Sequence, residues 1–127
     1  MKIKTMQRTK FSFRCRFSSF KFALAGIREL LIREHNARIH LAATVGVIVA
    51  GFVFRVSTTE AAILAIVTGG VWVTEILNTC VERIMDFIYP EEHPQIKYIK
   101  DLAAGAVLVA AFTAVVAGLL IFIPKLL

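Results

Sequence analysis

The chain has 127 residues, of which 57% are hydrophobic, and a formal net charge of +6. This length excludes two ordinary domains, and this apolar content excludes an ordinary soluble protein. Long apolar segments at residues 41–56, 61–77 and 102–123 indicate an all-α integral membrane protein, since a helix of about 20 residues crosses the hydrocarbon core.

The basic residues are distributed unevenly along the chain. Ten of the fifteen Lys and Arg residues precede the first apolar segment, and three more lie between the second and the third. By the positive-inside rule, the N-terminus and the region after the second span face the cytoplasm, and the C-terminus lies outside. A basic chain can also bind nucleic acid, but with three spans the topology and anionic lipid headgroups explain the charge better. We therefore expect no nucleic-acid partner.

The N-terminal region reads as a tail followed by a surface helix. Residues 1–10 are basic and polar, which predicts a flexible tail. Over residues 11–33, aromatic and cationic side chains alternate, and apolar residues from Phe20 to Leu31 recur at helical spacing. This pattern is typical of an amphipathic helix on the inner leaflet, although an ordinary packed helix outside the bilayer fits the same spacing. Glu29 is placed to pair with Arg33 one turn later.

Three further helices, over residues 36–56, 61–86 and 96–123, should contain the spans. Ser57 or Thr58 can cap the second of them, with Glu60 complementing its N-terminal dipole. The prolines at positions 90 and 94 remove backbone donors and should break the chain before the last helix. Together these segments predict one membrane domain over residues 1–127.

A row of polar side chains interrupts the second apolar helix. Glu75, Asn78, Glu82 and Asp86 fall within a stripe about 80° wide on a helix that turns by about 100° per residue. Ionisable groups at membrane depth are costly and indicate a functional site by default. An interhelical polar network is the alternative explanation. We call these four residues the polar stripe.

Other polar residues are expected at the same cytoplasmic interface. With the polar stripe, the set is Glu34, Asn36, Glu75, Asn78, Glu82, Asp86, Glu91, His93, Lys100 and Asp101. Carboxylates together with phosphate oxygens hold Mg²⁺, a Lys binds a phosphoryl group, and a buried carboxylate suits a general base. These are the parts of a phosphoryl-transfer site, although no Walker loop is present. The histidines lack metal-site spacing, so no zinc site is expected.

Three motifs in the chain resemble those of a known family. They are Glu75-Ile-Leu-Asn78-Thr-Cys-Val-Glu82, the run from Lys100-Asp101 through Leu-Ala-Ala-Gly-Ala-Val-Leu, and Glu34-His-Asn36-Ala-Arg38-Ile-His40. From about Phe17 to the C-terminus, the chain resembles the small prokaryotic diacylglycerol kinase and undecaprenol kinase family. The second and third motifs look more like the undecaprenol kinase branch.

The resemblance implies a homotrimer of three-span subunits with a surface helix. Such a protein uses MgATP to phosphorylate a lipid alcohol, undecaprenol in this branch, at the cytoplasmic face of the bacterial inner membrane. By motif position, Glu75 is the general base with Asn78 beside it, and Asn36 and Asp86 support the site. The expected ligands of the metal are Glu34 and Glu82. The side chains expected to contact ATP are Phe22, Glu34, Glu82, Glu91, His93, Lys100 and Asp101.

Several alternatives stay open at this point. Phe22 occupies a position where the family commonly has Tyr, and the expected basic residue upstream falls on Cys15, between Arg14 and Arg16. Glu34 can pair with Arg38 four residues on. Diacylglycerol is the competing acceptor, since an apolar pocket suits both lipids. From another class, a non-enzymatic ion path could use the polar stripe, but it would need polar groups through the full bilayer depth.

Overall fold

A computed structural model describes residues 12–127, and those residues form four helices. They are α1, Phe13–Arg33; α2, His35–Val53; α3, Thr58–Ile88; and α4, Pro94–Leu126. The predicted all-α fold is confirmed. The predicted flexible tail, residues 1–10, and the first residue of the predicted surface helix, Phe11, lie outside the described residues. The chain divides into two compact units, one ending at Arg33 and one beginning at Glu34.

The first unit contains α1. The Arg33 guanidinium donates to the Glu29 carboxylate, which confirms the pair that their spacing predicts. Phe17, Phe20 and Phe22 are all strongly exposed on this helix. The placement of α1 on a membrane surface stays a prediction.

Three helices of the second unit are long and apolar enough to cross a membrane, as predicted. The 19 residues of α2 span about 28 Å at 1.5 Å per residue, close to the thickness of a hydrocarbon core. The 31 residues of α3 and the 33 of α4 span about 46 and 50 Å, which exceeds that thickness. Both helices are therefore longer than a perpendicular span requires, and α3 carries charged residues in its last three turns.

The connection between α2 and α3 is fixed by local hydrogen bonds. The Val56 N–H donates to the Gly51 carbonyl at 3.1 Å and the Arg55 N–H to Phe52 at 3.3 Å, which is a Schellman ending. Arg55 has a φ of 50° at the position that glycine usually occupies. Ser57 and Glu60 then form a capping box at the start of α3.

Helix α3 lies between its two neighbours, packing along α4 and against α2. At one end of the three helices, the Lys125 ammonium lies 3.0 Å from the Glu60 carboxylate. At the other end, α3 bonds to Glu34 before α2 and to Lys100 on α4. We call this second end the acidic end, because Glu34, Glu82 and Asp86 lie there. The exposed surfaces of all three helices are largely apolar, as expected for contact with lipid.

Candidate active site

The polar stripe becomes more exposed toward the acidic end. Glu75 and Asn78 are buried, Glu82 is half-buried and Asp86 is exposed. The same face of α3 buries Leu64 and Val71 nearer the opposite end. The stripe thus continues the packed face of the helix, so its deepest carboxylate lies next to the apolar interior.

Glu75 meets a histidine from the neighbouring helix. The Nε2 atom of His40, on α2, lies 3.5 Å from Oε2 of Glu75. Two hydrogen bonds fix the surroundings of His40: the Thr44 hydroxyl donates to the His40 carbonyl at 2.7 Å, and the Trp72 indole donates to the Thr44 hydroxyl at 2.9 Å. The indole also faces the imidazole edge-on, at 6.4 Å between ring centres. Glu75 is therefore held against an ordered, ionisable neighbour.

One turn further along the polar stripe, Asn78 has an unsatisfied oxygen. Its amide nitrogen donates to Glu82 Oε1 at 3.3 Å. Its amide oxygen is buried and accepts no hydrogen bond within the described residues. A buried acceptor without a donor costs on the order of 1–3 kcal/mol, so native proteins rarely keep one without a use. A ligand that brings a hydroxyl group or a cation would satisfy it.

The acidic end combines its carboxylates with basic residues. Arg83 Nη2 lies 2.6 Å from Glu34 Oε1, and Lys100 Nζ lies 2.9 Å from Asp86 Oδ1. Glu82 lies within electrostatic range of both cations. Two positive and three negative side chains therefore share one small region, which can bind both the phosphates of a nucleotide and a divalent cation.

Two other predicted site residues, Asp101 and His93, contact residues outside the charged group at the acidic end. Asp101 is paired with Lys97 one turn earlier on α4. His93 is the N-cap of α4, where its Nδ1 accepts from the Gln95 N–H at 3.2 Å, and its ring packs edge-on against Tyr89. Their contacts with ATP stay predictions.

Three further predicted residues are exposed. Within the described residues, the side chains of Asn36 and Glu91 have no hydrogen bond or ion pair, and Phe22 lies on α1 in the first unit. Nothing in their surroundings tests the supporting role assigned to Asn36 or the nucleotide contacts assigned to Glu91 and Phe22.

Sequence reasoning missed two participants. Arg83 enters the sequence analysis only as one of the three basic residues between the second and third spans, yet it, and not Arg38, is the partner of Glu34. His40 has no site role in the sequence analysis, where the histidines only lack metal-site spacing, yet it contacts Glu75. Helical spacing could have indicated His40, because His40 and Thr44 lie on one face of α2 and Trp72 and Glu75 lie on one face of α3.

The acidic end offers oxygen ligands of the kind that a magnesium ion needs. Within residues 12–127, no three His, Cys, Asp or Glu side chains converge to form a metal site. Mg²⁺ commonly takes only one or two carboxylates and completes its shell with phosphate oxygens and water. Glu34 and Glu82 offer those carboxylates, and the unsatisfied Asn78 oxygen lies beside Glu82. The residues at this end fit such an ion.

An apolar groove lies between α2 and α3, and its lining begins about one helical turn from His40 and Glu75. Its volume is about 710 Å³, and its lining extends from Thr44 and Trp72 to Phe52 and Arg55. On α3 the lining runs from Ala61 to Trp72, eleven residue steps that correspond to a length of about 17 Å along the helix. His40 lies one turn before Thr44, and Glu75 three residues after Trp72, so the two faces that form the groove lead to the His40–Glu75 pair.

Comparison with known proteins identifies the family. The family model described as prokaryotic diacylglycerol kinase matches residues 21–122. The chain belongs to the prokaryotic diacylglycerol kinase family. It is 43% identical over 110 residues to an undecaprenol kinase of Bacillus subtilis, covering 87% of this chain and 89% of that protein. It is 36% identical over 110 residues to a diacylglycerol kinase of Synechocystis sp., covering 86% of this chain and 63% of that protein.

Membership of the prokaryotic diacylglycerol kinase family confirms the resemblance found in the motifs. The matched residues include the whole polar stripe and both basic partners at the acidic end. Both relatives are named as kinases of lipids, so the chain is a lipid kinase. This finding favours phosphoryl transfer over the ion-path hypothesis.

Proposed function

We propose that this protein transfers the γ-phosphoryl group of ATP to the hydroxyl group of undecaprenol, giving undecaprenyl phosphate. The observation that carries the proposal is the position of Glu75, a buried carboxylate between the charged acidic end and the apolar groove. A lipid alcohol and a nucleotide approach from different solvents. Glu75 lies where the two surfaces adjoin.

Glu75 acts as the general base in this proposal. Its carboxylate accepts the proton of the lipid hydroxyl while the alcohol oxygen bonds to the γ-phosphorus and the bond to the ADP oxygen breaks. Asn78, one turn on, supplies an amide oxygen that can accept from the substrate or ligate a cation.

The residues of the acidic end bind the nucleotide in this scheme. Lys100 approaches a phosphate as a point charge, and Asp86, 2.9 Å from its ammonium, holds it in place. Glu34 and Glu82 would hold Mg²⁺, which supplies charge neutralisation of the transferring phosphoryl group when bound. We assign Asp101, Glu91, His93 and Phe22 to the nucleotide and Asn36 to a supporting role, on the resemblance alone.

The groove between α2 and α3 is assigned to the hydrocarbon tail of the acceptor. Its lining is mostly apolar, and it ends at Trp72, three residues before Glu75. A neutral alcohol needs no counter-charge along this path, which suits a groove with few polar side chains.

Undecaprenol is preferred over diacylglycerol because the more similar of the two relatives named above is an undecaprenol kinase. The Synechocystis relative and the family name favour diacylglycerol as the second candidate. We further propose a homotrimer in the bacterial inner membrane, with the N-terminus and the acidic end in the cytoplasm. The excess of basic residues before α2 supports this orientation, and the apolar outer faces of the helices support the membrane location. The homotrimer rests on the resemblance alone.

Phosphate transfer to purified lipids tests the acceptor. The protein in mixed micelles is given labelled MgATP with undecaprenol or diacylglycerol in parallel, and initial rates are compared across acceptor concentrations. We expect a kcat/KM at least tenfold higher for undecaprenol. A preference for diacylglycerol would make diacylglycerol the acceptor instead of undecaprenol. Transfer to neither lipid would contradict the proposed reaction.

A further inference from the structure

A buried base must release its proton before it can work again. Only 3% of the Glu75 side chain is exposed. Each turnover would leave Glu75 protonated, and direct transfer of that proton to water is obstructed by the helices around it. The next turnover then depends on another group that can accept the proton.

His40 is placed to accept it. Its Nε2 lies 3.5 Å from Glu75 Oε2, and 18% of its side chain is exposed, six times the exposed fraction of Glu75. It is the sixth residue of α2, only about 8 Å from the end of the helix that adjoins Glu34. Imidazole is also the side chain that most readily takes up and releases a proton near neutral pH.

We propose that His40 is the proton relay that restores Glu75 after each turnover. The proposal rests on the proposed function, in which Glu75 is the general base. His40 acts through Glu75 and has no contact with the phosphoryl group. Its task begins once the new oxygen–phosphorus bond has formed.

The protons balance over one cycle. The lipid O–H bond breaks and its proton goes to Glu75. Glu75 then gives a proton to the unprotonated Nε2 of His40, which becomes an imidazolium. The imidazolium loses a proton to water, and tautomer exchange restores an unprotonated Nε2. The net products are lipid phosphate, ADP and one proton in solution.

Few other ionisable groups lie against this pair in the described part of the chain. On α3, Glu82 is two turns beyond Glu75 and accepts from Asn78. On α4, which packs along α3, Lys100 is bonded to Asp86 and Lys97 to Asp101. The surroundings of His40 itself are the Thr44 hydroxyl and the Trp72 ring, neither of which can take the proton at neutral pH.

A structural ion pair between His40 and Glu75 is the competing explanation. The two roles act at different steps of the catalytic cycle. A relay is needed only after chemistry, so its loss leaves the first turnover intact. A residue that merely orients Glu75 is needed during chemistry, so its loss slows the first turnover as well. Rapid-mixing kinetics therefore separates the two.

The test uses the full-length protein with His40→Asn, which keeps a polar side chain but cannot carry the proton. Product formation is followed from the first milliseconds, with His35→Asn as the matched control on the exposed side of the same helix. We expect a burst of one product per site at a near-native rate. The following steady state should be slower by about 10- to 100-fold. Added imidazole should raise that second rate in His40→Asn and leave His35→Asn unchanged.

Two results would overturn the relay. One is a native steady-state rate in His40→Asn; the other is a slowed first turnover with no rescue by imidazole. If His40→Asn does not fold, His40→Gln is held to the same outcomes. Failure of the proposed function has a separate signature, because it would show as unchanged turnover in Glu75→Gln.

Discussion

The Arg83 guanidinium lies 2.6 Å from the Glu34 carboxylate, so a predicted metal ligand is already paired with a cation. The two residues are 49 positions apart in the sequence and join the start of α2 to the last turns of α3. Mg²⁺ that binds Glu34 must compete with this partner or share the carboxylate with it. In the proposed site, Arg83 therefore sets how readily the metal binds.

Replacing Arg83 by Gln should make the enzyme need less Mg²⁺. An exposed ion pair contributes little, so we expect at most about a fivefold change in the affinity for magnesium. A magnesium titration of the initial rate at fixed ATP measures the shift. Arg38→Gln is the control, because Arg38 has the spacing to pair with Glu34 but not the contact. An increased magnesium requirement in Arg83→Gln, or an equal shift in both variants, would contradict this account.

Asn78 should lower the free energy of unfolding while it supports turnover. Asn78→Leu removes a buried oxygen without a donor, so the free energy of unfolding should rise by about 1 kcal/mol while turnover falls at least 100-fold. Thermal unfolding in detergent and the phosphate-transfer assay measure the two effects. The exposed Asn36→Leu should give no gain in stability. Retained activity in Asn78→Leu would show that this amide takes no part in the reaction.

Lys100 should matter for ATP, and its neighbour Lys97 should not. Lys100→Met should raise the KM for ATP at least tenfold, because it removes a point charge from the phosphate site. Lys97→Met should change that KM by less than about twofold, since its exposed pair with Asp101 contributes little. Asp86→Asn should lie between the two. Equal effects of both lysine variants would mean that only the general surface charge matters.

The left-handed residue between α2 and α3 offers a test of the fold. Arg55 has a φ of 50° at a helix end where glycine is favoured. Arg55→Gly should stabilise the protein by about 0.5–1 kcal/mol, because it relieves the steric cost of that conformation. Arg38→Gly, inside α2, should destabilise it by about 1 kcal/mol. A loss of stability in Arg55→Gly would show that the side chain of Arg55 contributes more than its backbone costs.

Local features of the fold were predictable because their causes are local. Ser57 or Thr58 was the expected cap of α3, and Ser57 caps it, in a capping box with Glu60. Glu75, Asn78, Glu82 and Asp86 share a face because the helical period alone places them there. The decrease in burial from Glu75 to Asp86 follows from where the apolar part of α3 ends.

The contacts between helices were not predictable in the same way. Which side chains meet depends on how α2 and α4 are rotated against α3, and helical periodicity leaves that rotation undetermined. The pairs His40–Glu75, Glu34–Arg83 and Asp86–Lys100 all depend on it. Sequence reasoning found four of these six residues as site candidates but none of the pairings, and it missed His40 and Arg83.

The most direct test of the central claim is turnover in Glu75→Gln, measured together with ATP binding. Glu60→Gln is the matched control, because Glu60 starts the same helix at the opposite end and is paired with Lys125. We expect Glu75→Gln to fold and to bind ATP within about threefold of the native affinity, while losing at least 1000-fold in phosphate transfer, and Glu60→Gln to remain active. A folded Glu75→Gln variant with near-native turnover would contradict the role of Glu75 as the general base.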